Sequence, residues 1–398
     1  MRKKTIELLK RLLISTCALA AASSHAADNA DNADQCKIGA KVDDTIRPLM
    51  AKYGIPGMAV AISIDGKHCF YNYGVASKKT RQRVTGSTLF EIGSISKTFT
   101  ATLASYAQAD GKLSLSDSAS RYLPFLKGSS FDRISLLNLG THTSGGLPLQ
   151  VPDNIHDTDQ LMRYFKQWQP DYAAGTHRIY SNPGIGMLGM IAAKSMAASF
   201  SDAIEKNIFH PLGMTHSYIN VPADQIRNYA QGYTKTGTPI RVQDAVLAPE
   251  AYGVKSGTAD MIRFIEANMQ AAGLDGKLQH AITDTHTGYF TAGPMTQDLI
   301  WEQYPYPVAL EQLLAGNADM MAYQAVPATR LGPPLAPRTN VLINKTGSTN
   351  GFAAYVAFIP AKKTGIVILA NKNYPIAPRV TAAYQILTQL DRQAVSAN

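Results

Sequence analysis

The sequence predicts an α/β (α+β) fold in which an antiparallel sheet flanked by helices is built from both ends of the chain, with a mainly helical lobe inserted between them. Three observations predict it. Paired strand-like runs occur near each end of the 398 residues, an amphipathic helical stretch lies beside each pair, and the middle reads mostly as helix and loop. No fixed repeat or low-complexity linker divides the chain, so we expect a single domain.

The first 26 residues have the pattern of an export signal. A basic start precedes an apolar run from Leu12 to Ala22 and the triplet Ser24-His25-Ala26, which fits the small-x-small rule for signal cleavage. The apolar run is shorter than the roughly 20 residues that a membrane-spanning helix needs. We therefore predict a cleaved signal peptide over residues 1–26, a periplasmic location and no stable membrane association.

The mature chain opens with a helix and a hairpin. The amphipathic stretch from Gly39 to Tyr53 predicts a helix, and the apolar run from Gly57 to Ile64 predicts a strand. Asp65-Gly66 is a hairpin turn, and His68 to Val75 forms the second strand. This part belongs to a predicted sheet lobe of residues 36–90 and 336–398.

The C-terminal end has the same predicted elements in the opposite order, two strands followed by a helix. Strand-like runs from Tyr355 to Ile359 and from Gly365 to Leu369 flank a turn at Pro360 to Thr364, and a helical stretch from Ala377 to Leu390 follows. Both ends are therefore expected to contribute strands to one antiparallel sheet, with helices packed on a face.

The middle of the chain, residues 91–335, is the predicted helical lobe. Its helices include Lys97 to Asp110, which ends at Gly111, and Ile185 to Ala198, which begins after Pro183-Gly184. A cleft between this lobe and the sheet is a preferred place for a ligand site.

Charge and histidine patterns exclude two classes of protein. The formal net charge is +9 for the whole chain, and removing residues 1–26 leaves 33 basic and 28 acidic residues, or +5. The remaining basic residues form no stripe with interleaved aromatics, so we expect no nucleic-acid partner. The nine histidines include no His-x-His-x-Asp or His-Glu-x-x-His arrangement, which argues against a zinc enzyme. His142 is interpreted as a packing or loop residue.

Two cysteines, Cys36 and Cys69, remain after signal cleavage. An even number of cysteines in an oxidising compartment suits a disulfide between the N-terminal helix and the strand around Cys69. The alternative is a pair of buried, unreactive thiols.

The first motif that could carry chemistry is Ser94-Ile95-Ser96-Lys97, where a strand-like run passes through Gly93 into a helix. Residues three apart share a helix face, so the Lys97 amine can reach the Ser94 hydroxyl. The positive helix end and nearby cations would favour the alkoxide and lower the pKa of the lysine, as a base for serine requires. Ser-x-x-Lys alone is common by chance.

Two further motifs complement it. In Tyr180-Ser181-Asn182, a tyrosine beside a cation can act as general base and acid, and Asn182 offers an amide. Lys345-Thr346-Gly347 is expected to open a strand that continues through Gly351 and Phe352 to Ile359, where lysine and hydroxyl could bind a carboxylate. The alternative interpretation of the first motif is an ordinary loop turn, and that of the second is an exposed strand start with a surface lysine.

Together the motifs resemble class C (AmpC-type) serine β-lactamases, and serine enzymes that recognise penicillin share this motif order. The segments that carry the resemblance are Phe90 to Phe99, Gly145 to Pro152, Tyr180 to Pro183, Ala251 to Lys255, Lys345 to Ser348 and Ala370 to Pro375. The resemblance implies the β-lactamase/transpeptidase-like (DD-peptidase) fold, a single catalytic domain over residues 27–398, a monomer and no cofactor. It also implies hydrolysis of β-lactam antibiotics such as cephalosporins and penicillins, and thus antibiotic resistance.

The resemblance also implies which residues are catalytic and which bind the substrate. The resemblance makes Ser94 the nucleophile, Lys97 its activating partner, Tyr180 the base, Asn182 the amide-binding residue and Lys345 the second cation, with the backbone N–H groups of Ser94 and Ser348 as oxyanion hole. The substrate-binding positions that it implies are Gln150, Tyr252, Thr346, Gly347, Ser348, Asn350 and Arg379. Ile376 stands where many relatives have a polar Asn near the substrate carboxylate, so carboxylate recognition is expected to rest more on Arg379 and Thr346. The segment from Gly288 to Gln312 resembles the variable loop beside the pocket.

Three alternatives remain open. A D-Ala-D-Ala carboxypeptidase shares the acylation residues, although the Gly145 to Pro152 and Tyr180 to Asn182 segments favour the lactamase. A serine esterase of the same fold is disfavoured by Lys345-Thr346-Gly347. A non-enzymatic sensor of cell-wall fragments is expected to lose Ser94, Lys97 or Tyr180, and all three are present.

Overall fold

A computed structural model describes residues 38–270 and 273–396 of the chain. The predicted signal peptide and Cys36 lie outside the described residues. Contacts divide the chain into Met1–Asp44 and Thr45–Asn398. In the first unit, the described residues form the start of helix α1, and all other elements belong to the second. Cys69 is buried and disulfide-bonded, and its pairing with Cys36 stays a prediction.

The helices lie mostly in the middle of the chain. Their bounds are α1 Gly39–Tyr53, α2 Ser96–Ala109, α3 Ala119–Tyr122, α4 Leu136–Gly140, α5 Thr158–Gln167, α6 Asn182–Ser195, α7 Phe200–Ile204, α8 Ala248–Tyr252, α9 Thr258–Asn268, α10 Gly276–Asp284, α11 Leu310–Gly316, α12 Met320–Tyr323 and α13 Ile376–Ser396. In the part of the chain that the structure describes, no helix combines the length and the apolar character that a bilayer span requires.

The strands form one large and two small antiparallel sheets. Their bounds are β1 Gly57–Ile64, β2 Lys67–Gly74, β3 Phe90–Glu91, β4 His177–Arg178, β5 Ser217–Tyr218, β6 Gly232–Tyr233, β7 Pro239–Ile240, β8 Lys255–Ser256, β9 Gly288–Ala292, β10 Met295–Gln297, β11 Glu302–Pro305, β12 Val326–Leu335, β13 Val341–Ser348, β14 Ala353–Ile359 and β15 Thr364–Ala370. The large sheet has the order β2-β1-β15-β14-β13-β11-β10-β9-β12-β4, and the small ones are β3-β8-β5 and β6-β7.

The predicted joining of the two chain ends in one antiparallel sheet is confirmed. Strand β1 pairs with β2 on one side and with β15 on the other, so that Val60 lies opposite both Tyr71 and Ile368. The turn between β1 and β2 has positive φ at Asp65 and Gly66. Such angles are the ones that a two-residue hairpin turn requires, which explains why Asp-Gly predicts it.

Helices cover both faces of the central strands. All of β14 and β15 is buried, and successive side chains of a strand point to opposite faces. Helix α9 packs on one face, where a β carbon on Gly365 would lie 2.4 Å from Ile265, and α13 also contacts β14 and β15. Continuous apolar runs such as Ala353–Ile359 are typical of strands that are covered on both sides.

Two sequence expectations differ from the structure. The segment of residues 288–335, which was expected to be helical or loop, contributes β9 to β12 to the large sheet, because these mostly short strands lack a clear alternation. Lys345-Thr346-Gly347 does not open a strand that runs to Ile359. It ends β13, and the chain reverses through a turn in which Thr349 N donates to Phe352 O at 3.1 Å, so that β14 pairs back on β13.

Candidate active site

Ser94 lies in a 3₁₀ turn, Gly93–Ile95, that leads directly into α2. The Lys97 ammonium, one helical turn on, donates to Ser94 Oγ at 2.9 Å and to Ala251 O at 2.8 Å. Lys97 is fully buried, and burial, helped by the charge of Lys345, lowers its pKa to about 8 despite the opposing effect of Tyr180. A serine hydroxyl therefore contacts an amine that readily gives up its proton near neutral pH.

Tyr180 lies among three cations. The Nζ atoms of Lys97 and Lys345 are 5.2 Å and 5.3 Å from the centre of its ring, and the Arg178 guanidinium carbon is 5.5 Å away. Burial alone would raise the pKa of the phenol. The positive charges of Lys345 and Lys97 and a hydrogen bond with Ser94 outweigh it and lower the pKa to about 8, so the phenolate is accessible near neutral pH.

A buried carboxylate balances part of this positive charge. Glu302 Oε1 lies 3.5 Å from Lys345 Nζ and 3.3 Å from Arg178 Nη2. Burial would lower the pKa of Lys345, but Glu302 and Tyr180 raise it overall, so this lysine stays charged. Nothing in the sequence marks Arg178 and Glu302 as buried charged residues of the site, because both lie in short strands without a clear pattern.

His142 packs against Tyr180 from another side. The two ring centres are 4.2 Å apart, and His142 Nδ1 accepts a hydrogen bond from Ser181 N at 3.2 Å. Burial and the nearby charge of Arg178 hold the pKa of His142 well below its usual range. The residue is thus a neutral, buried neighbour of Tyr180, in agreement with its interpretation as a packing residue.

Two glycines allow the Ser94 turn to approach the end of β13. Gly93 has a φ of +55°, and a β carbon there would lie 2.5 Å from Ser348 N. A β carbon on Gly347 would lie 2.0 Å from Ile92 O. Both distances would be steric clashes. Only glycine, which has no β carbon, therefore allows the backbone of Ser348 to lie against the Ser94 turn.

Asn182 begins α6 next to Tyr180. The Ser181 hydroxyl caps this helix by accepting from Gly184 N at 3.0 Å. Asn182 Nδ2 donates to Gln150 Oε1 at 2.9 Å, whereas Asn182 Oδ1 is buried with no hydrogen-bond partner among the described residues. The amide thus joins Gln150 to the site and leaves one acceptor free.

Most of the predicted site residues line one cleft of about 660 Å³. Those that line it are Ser94, Gln150, Tyr180, Asn182, Tyr252, Lys345, Thr346, Ser348 and Asn350, together with Ile376. Lys97 and Gly347 lie behind this surface, where Lys97 contacts Ser94 and Gly347 contacts the Ser94 turn.

Two expectations about the cleft are not met. Arg379 does not line it, because this residue is 1% exposed and its guanidinium donates to backbone carbonyls of β13 and β14. The segment from Gly288 to Gln312 contains strands β9, β10 and β11 and contributes only Glu302 to the cleft. The wall is formed instead by α11, α12 and their connection, with Tyr323 at 71% exposure.

This arrangement suits acyl transfer. A serine hydroxyl contacts a lysine of lowered pKa, a phenol of lowered pKa stands beside both, and a cleft gives access to them. The nearby cations of Arg178 and Lys345 would stabilise negative charge as it develops.

Comparisons with known proteins agree with the fold. The family model described as "Beta-lactamase" matches residues 42–391. A β-lactamase of Pseudomonas fluorescens is 52% identical over 351 residues, which are 88% of this chain and 98% of that protein. A solved class C β-lactamase in complex with cefoxitin is 59% identical with a TM-score of 0.87, covering 89% of this chain and 99% of its own. A D-alanine carboxypeptidase AmpC from Burkholderia cenocepacia is 57% identical with a TM-score of 0.84, covering 87% and 97%.

Proposed function

The chain belongs to the β-lactamase family, and we propose that Ser94, Lys97 and Tyr180 carry out its reaction. It is a class C enzyme that hydrolyses the ring of β-lactam antibiotics and thereby confers resistance to them. The observation that carries the residue assignment is the contact of Ser94 Oγ with Lys97 Nζ at 2.9 Å beside a phenol of lowered pKa.

In the first step, Ser94 Oγ attacks the lactam carbonyl carbon. Its proton passes to the Tyr180 phenolate, and the ring nitrogen, freed as the C–N bond breaks, takes a proton relayed through Tyr180 and Lys97. A water molecule then attacks the ester carbonyl with Tyr180 as base. Breaking the ester bond returns the proton to Ser94 and releases the opened product.

The backbone N–H groups of Ser94 and Ser348 form the oxyanion hole in this proposal. The close approach of Gly93 to Ser348 N supports it, because it shows that the two backbone segments adjoin. Each donor of this kind contributes about 3 kcal/mol to the stabilisation of the tetrahedral intermediate. Gln150 and Asn182 are proposed to bind the substrate's amide side chain, and Thr346, Asn350 and Tyr252 to line the rest of the cleft.

The mature protein is proposed to begin after residue 26 and to act as a periplasmic monomer. The basic and apolar pattern of residues 1–26 supports the export signal. The sheet lobe and the helical lobe are proposed to form one catalytic domain.

D-Ala-D-Ala carboxypeptidase activity is a second candidate, because a solved relative of 57% identity is described as a D-alanine carboxypeptidase. The two activities share acylation and differ in how fast the ester is hydrolysed.

Hydrolysis of a chromogenic cephalosporin by the mature protein, with intact mass recorded during turnover, tests the assignment. We expect fast turnover that Ser94→Ala abolishes without unfolding the protein. Retained hydrolysis in Ser94→Ala would refute the nucleophile, and a stable acyl adduct with negligible turnover would favour the carboxypeptidase.

A further inference from the structure

Arg379, in the first turn of α13, is a fully buried cation for which the described residues provide no carboxylate partner. Its guanidinium donates to Gly347 O at 2.6 Å, Ser348 Oγ at 3.1 Å and Ala354 O at 3.3 Å, and also to Pro375 O and Tyr374 O. Burial lowers its pKa to about 10, so it remains charged at neutral pH. Burying an ionised group is costly unless polar atoms satisfy it, and here the acceptors are mainly backbone carbonyls.

One of these contacts is made to the peptide group that joins Gly347 to Ser348. Gly347 C=O and Ser348 N–H belong to the same planar peptide unit, in which a trans bond points the oxygen and the hydrogen in opposite directions. A donor held 2.6 Å from Gly347 O therefore fixes the orientation of that plane and directs Ser348 N–H to the opposite side. Contact with Ser348 Oγ restrains the same residue a second time.

The opposite side of that peptide group faces the Ser94 turn. A β carbon on Gly93 would lie 2.5 Å from Ser348 N, and Ser348 lines the cleft together with Ser94. A cation that binds a carbonyl oxygen also withdraws electron density from the amide, which makes its N–H a stronger donor.

We infer that Arg379 is a positioning residue that orients and polarises the Gly347–Ser348 peptide group so that Ser348 N–H acts in the oxyanion hole. This inference rests on the proposed function. It assigns Arg379 to the stabilisation of the tetrahedral intermediate instead of the binding of the substrate carboxylate, for which the residue lies too deep.

Arg379→Met, which removes the charge and the donors but retains an apolar chain, tests the inference. The probes are two arylboronic acids that differ only in a carboxylate group. Their boron accepts the Ser94 oxygen and becomes tetrahedral, so one boron-bound oxygen occupies the oxyanion hole. We expect kcat to fall by about tenfold or more. This fall should be smaller than the one caused by losing an entire oxyanion donor, and KM should change less than kcat. Both boronic acids should lose affinity by a similar factor.

Ile376→Asn serves as the matched control, because Ile376 lies in the same helical turn but lines the cleft. It should change the affinity of the carboxylate-bearing probe alone. If Arg379→Met weakens only that probe, Arg379 recognises the carboxylate and the inference is wrong. Unchanged kcat and probe affinities in a folded Arg379→Met would likewise overturn it.

Two further measurements separate these outcomes from a failure of the proposed function and from misfolding of the variant. Absence of turnover in the wild-type protein would refute the proposed function and not the role of Arg379. If Arg379→Met does not fold, Arg379→Gln, which keeps an amide donor but no charge, replaces it. In that folded variant, parallel weakening of both probes supports the inference, and unchanged affinities overturn it.

Discussion

At Tyr180, burial and neighbouring charges act in opposite directions on one phenol. Burial disfavours the phenolate, whereas the ammonium groups of Lys345 and Lys97 stabilise it more strongly, and the pKa falls from 10.0 to about 8. Glu302 limits this effect, because its negative charge acts on Tyr180 in the opposite sense. A base for serine attack near neutral pH thus depends on the charges of two other side chains.

Replacing Lys345 by Met should shift the pH dependence of turnover. Lys345 makes the largest favourable contribution to the phenolate, so its loss should raise the pKa of Tyr180. Since the phenolate is the proposed base, activity falls below that pKa, and the acid limb of the kcat/KM profile should move by roughly one unit to higher pH. The pH profile separates this effect from weaker substrate binding. Lys345→Arg, which keeps the charge, should shift the limb less, and an unmoved limb in Lys345→Met would argue against Tyr180 as the base.

Glu250 should make stability depend on pH. Its Oε2 is buried with no hydrogen-bond partner among the described residues, and burial raises the pKa of the carboxyl from 4.5 to about 7. Between these two values the folded form binds a proton that the unfolded form has lost, so stability falls as pH rises from 4.5 to 7 and is constant above. The difference corresponds to about 3 kcal/mol.

Glu250→Gln should remove this dependence. Urea unfolding of both proteins at pH 4.5 and pH 8 is the measurement, and the variant should gain about 3 kcal/mol relative to the wild type between the two conditions. The exposed carboxylate of Glu311 offers a control, since Glu311→Gln should show little change. A constant difference between wild type and Glu250→Gln would show that the carboxyl titrates alike in the folded and unfolded protein and would contradict the raised pKa.

Among the elements, the contact between the Ser94 turn and strand β13 matters most for the site. Gly347→Ala would place a β carbon 2.0 Å from Ile92 O, so strand and turn must separate. We expect a loss of kcat of about 100-fold, as for one oxyanion donor, and a destabilisation of about 1–3 kcal/mol. Kinetics and thermal unfolding measure the two effects. Gly86→Ala is the control, because a β carbon at Gly86 meets nothing within 4 Å, and near-normal kcat in Gly347→Ala would contradict the predicted role of this approach.

Elements with a clear pattern could be predicted from the sequence. The bounds of α1 and β1 are the predicted ones, since Gly39–Tyr53 has helical periodicity and Gly57–Ile64 is apolar and followed by Asp-Gly. Strands of two to five residues, such as β4 and β11, are too short to show a period, and the buried charges beside Tyr180 lie on them. The three motifs predicted which residues meet, but not that Lys345-Thr346-Gly347 ends its strand.

Over the whole molecule, one hydrophobic cluster connects the helical segments to the large sheet. It includes Phe131 and Phe165 from the helical middle and Trp301 and Val356 from the sheet region. A shared core makes separate unfolding of the two parts costly, because either would expose the apolar surface of the other. This continuity supports the proposal that sheet and helical lobes form one domain.

The two tryptophans of the chain provide a direct test of that proposal. Trp168 follows α5 in the helical middle and packs against Phe131, whereas Trp301 is fully buried between β10 and β11. In Trp301→Phe the fluorescence reports the helical part, and in Trp168→Phe it reports the sheet. Within each variant, fluorescence, far-UV circular dichroism and loss of activity should give the same denaturant midpoint, because a continuous core unfolds as one unit. If Trp168 fluorescence changed at a lower denaturant concentration than circular dichroism in Trp301→Phe, the helical lobe would be an independent folding unit and the single-domain proposal would fail.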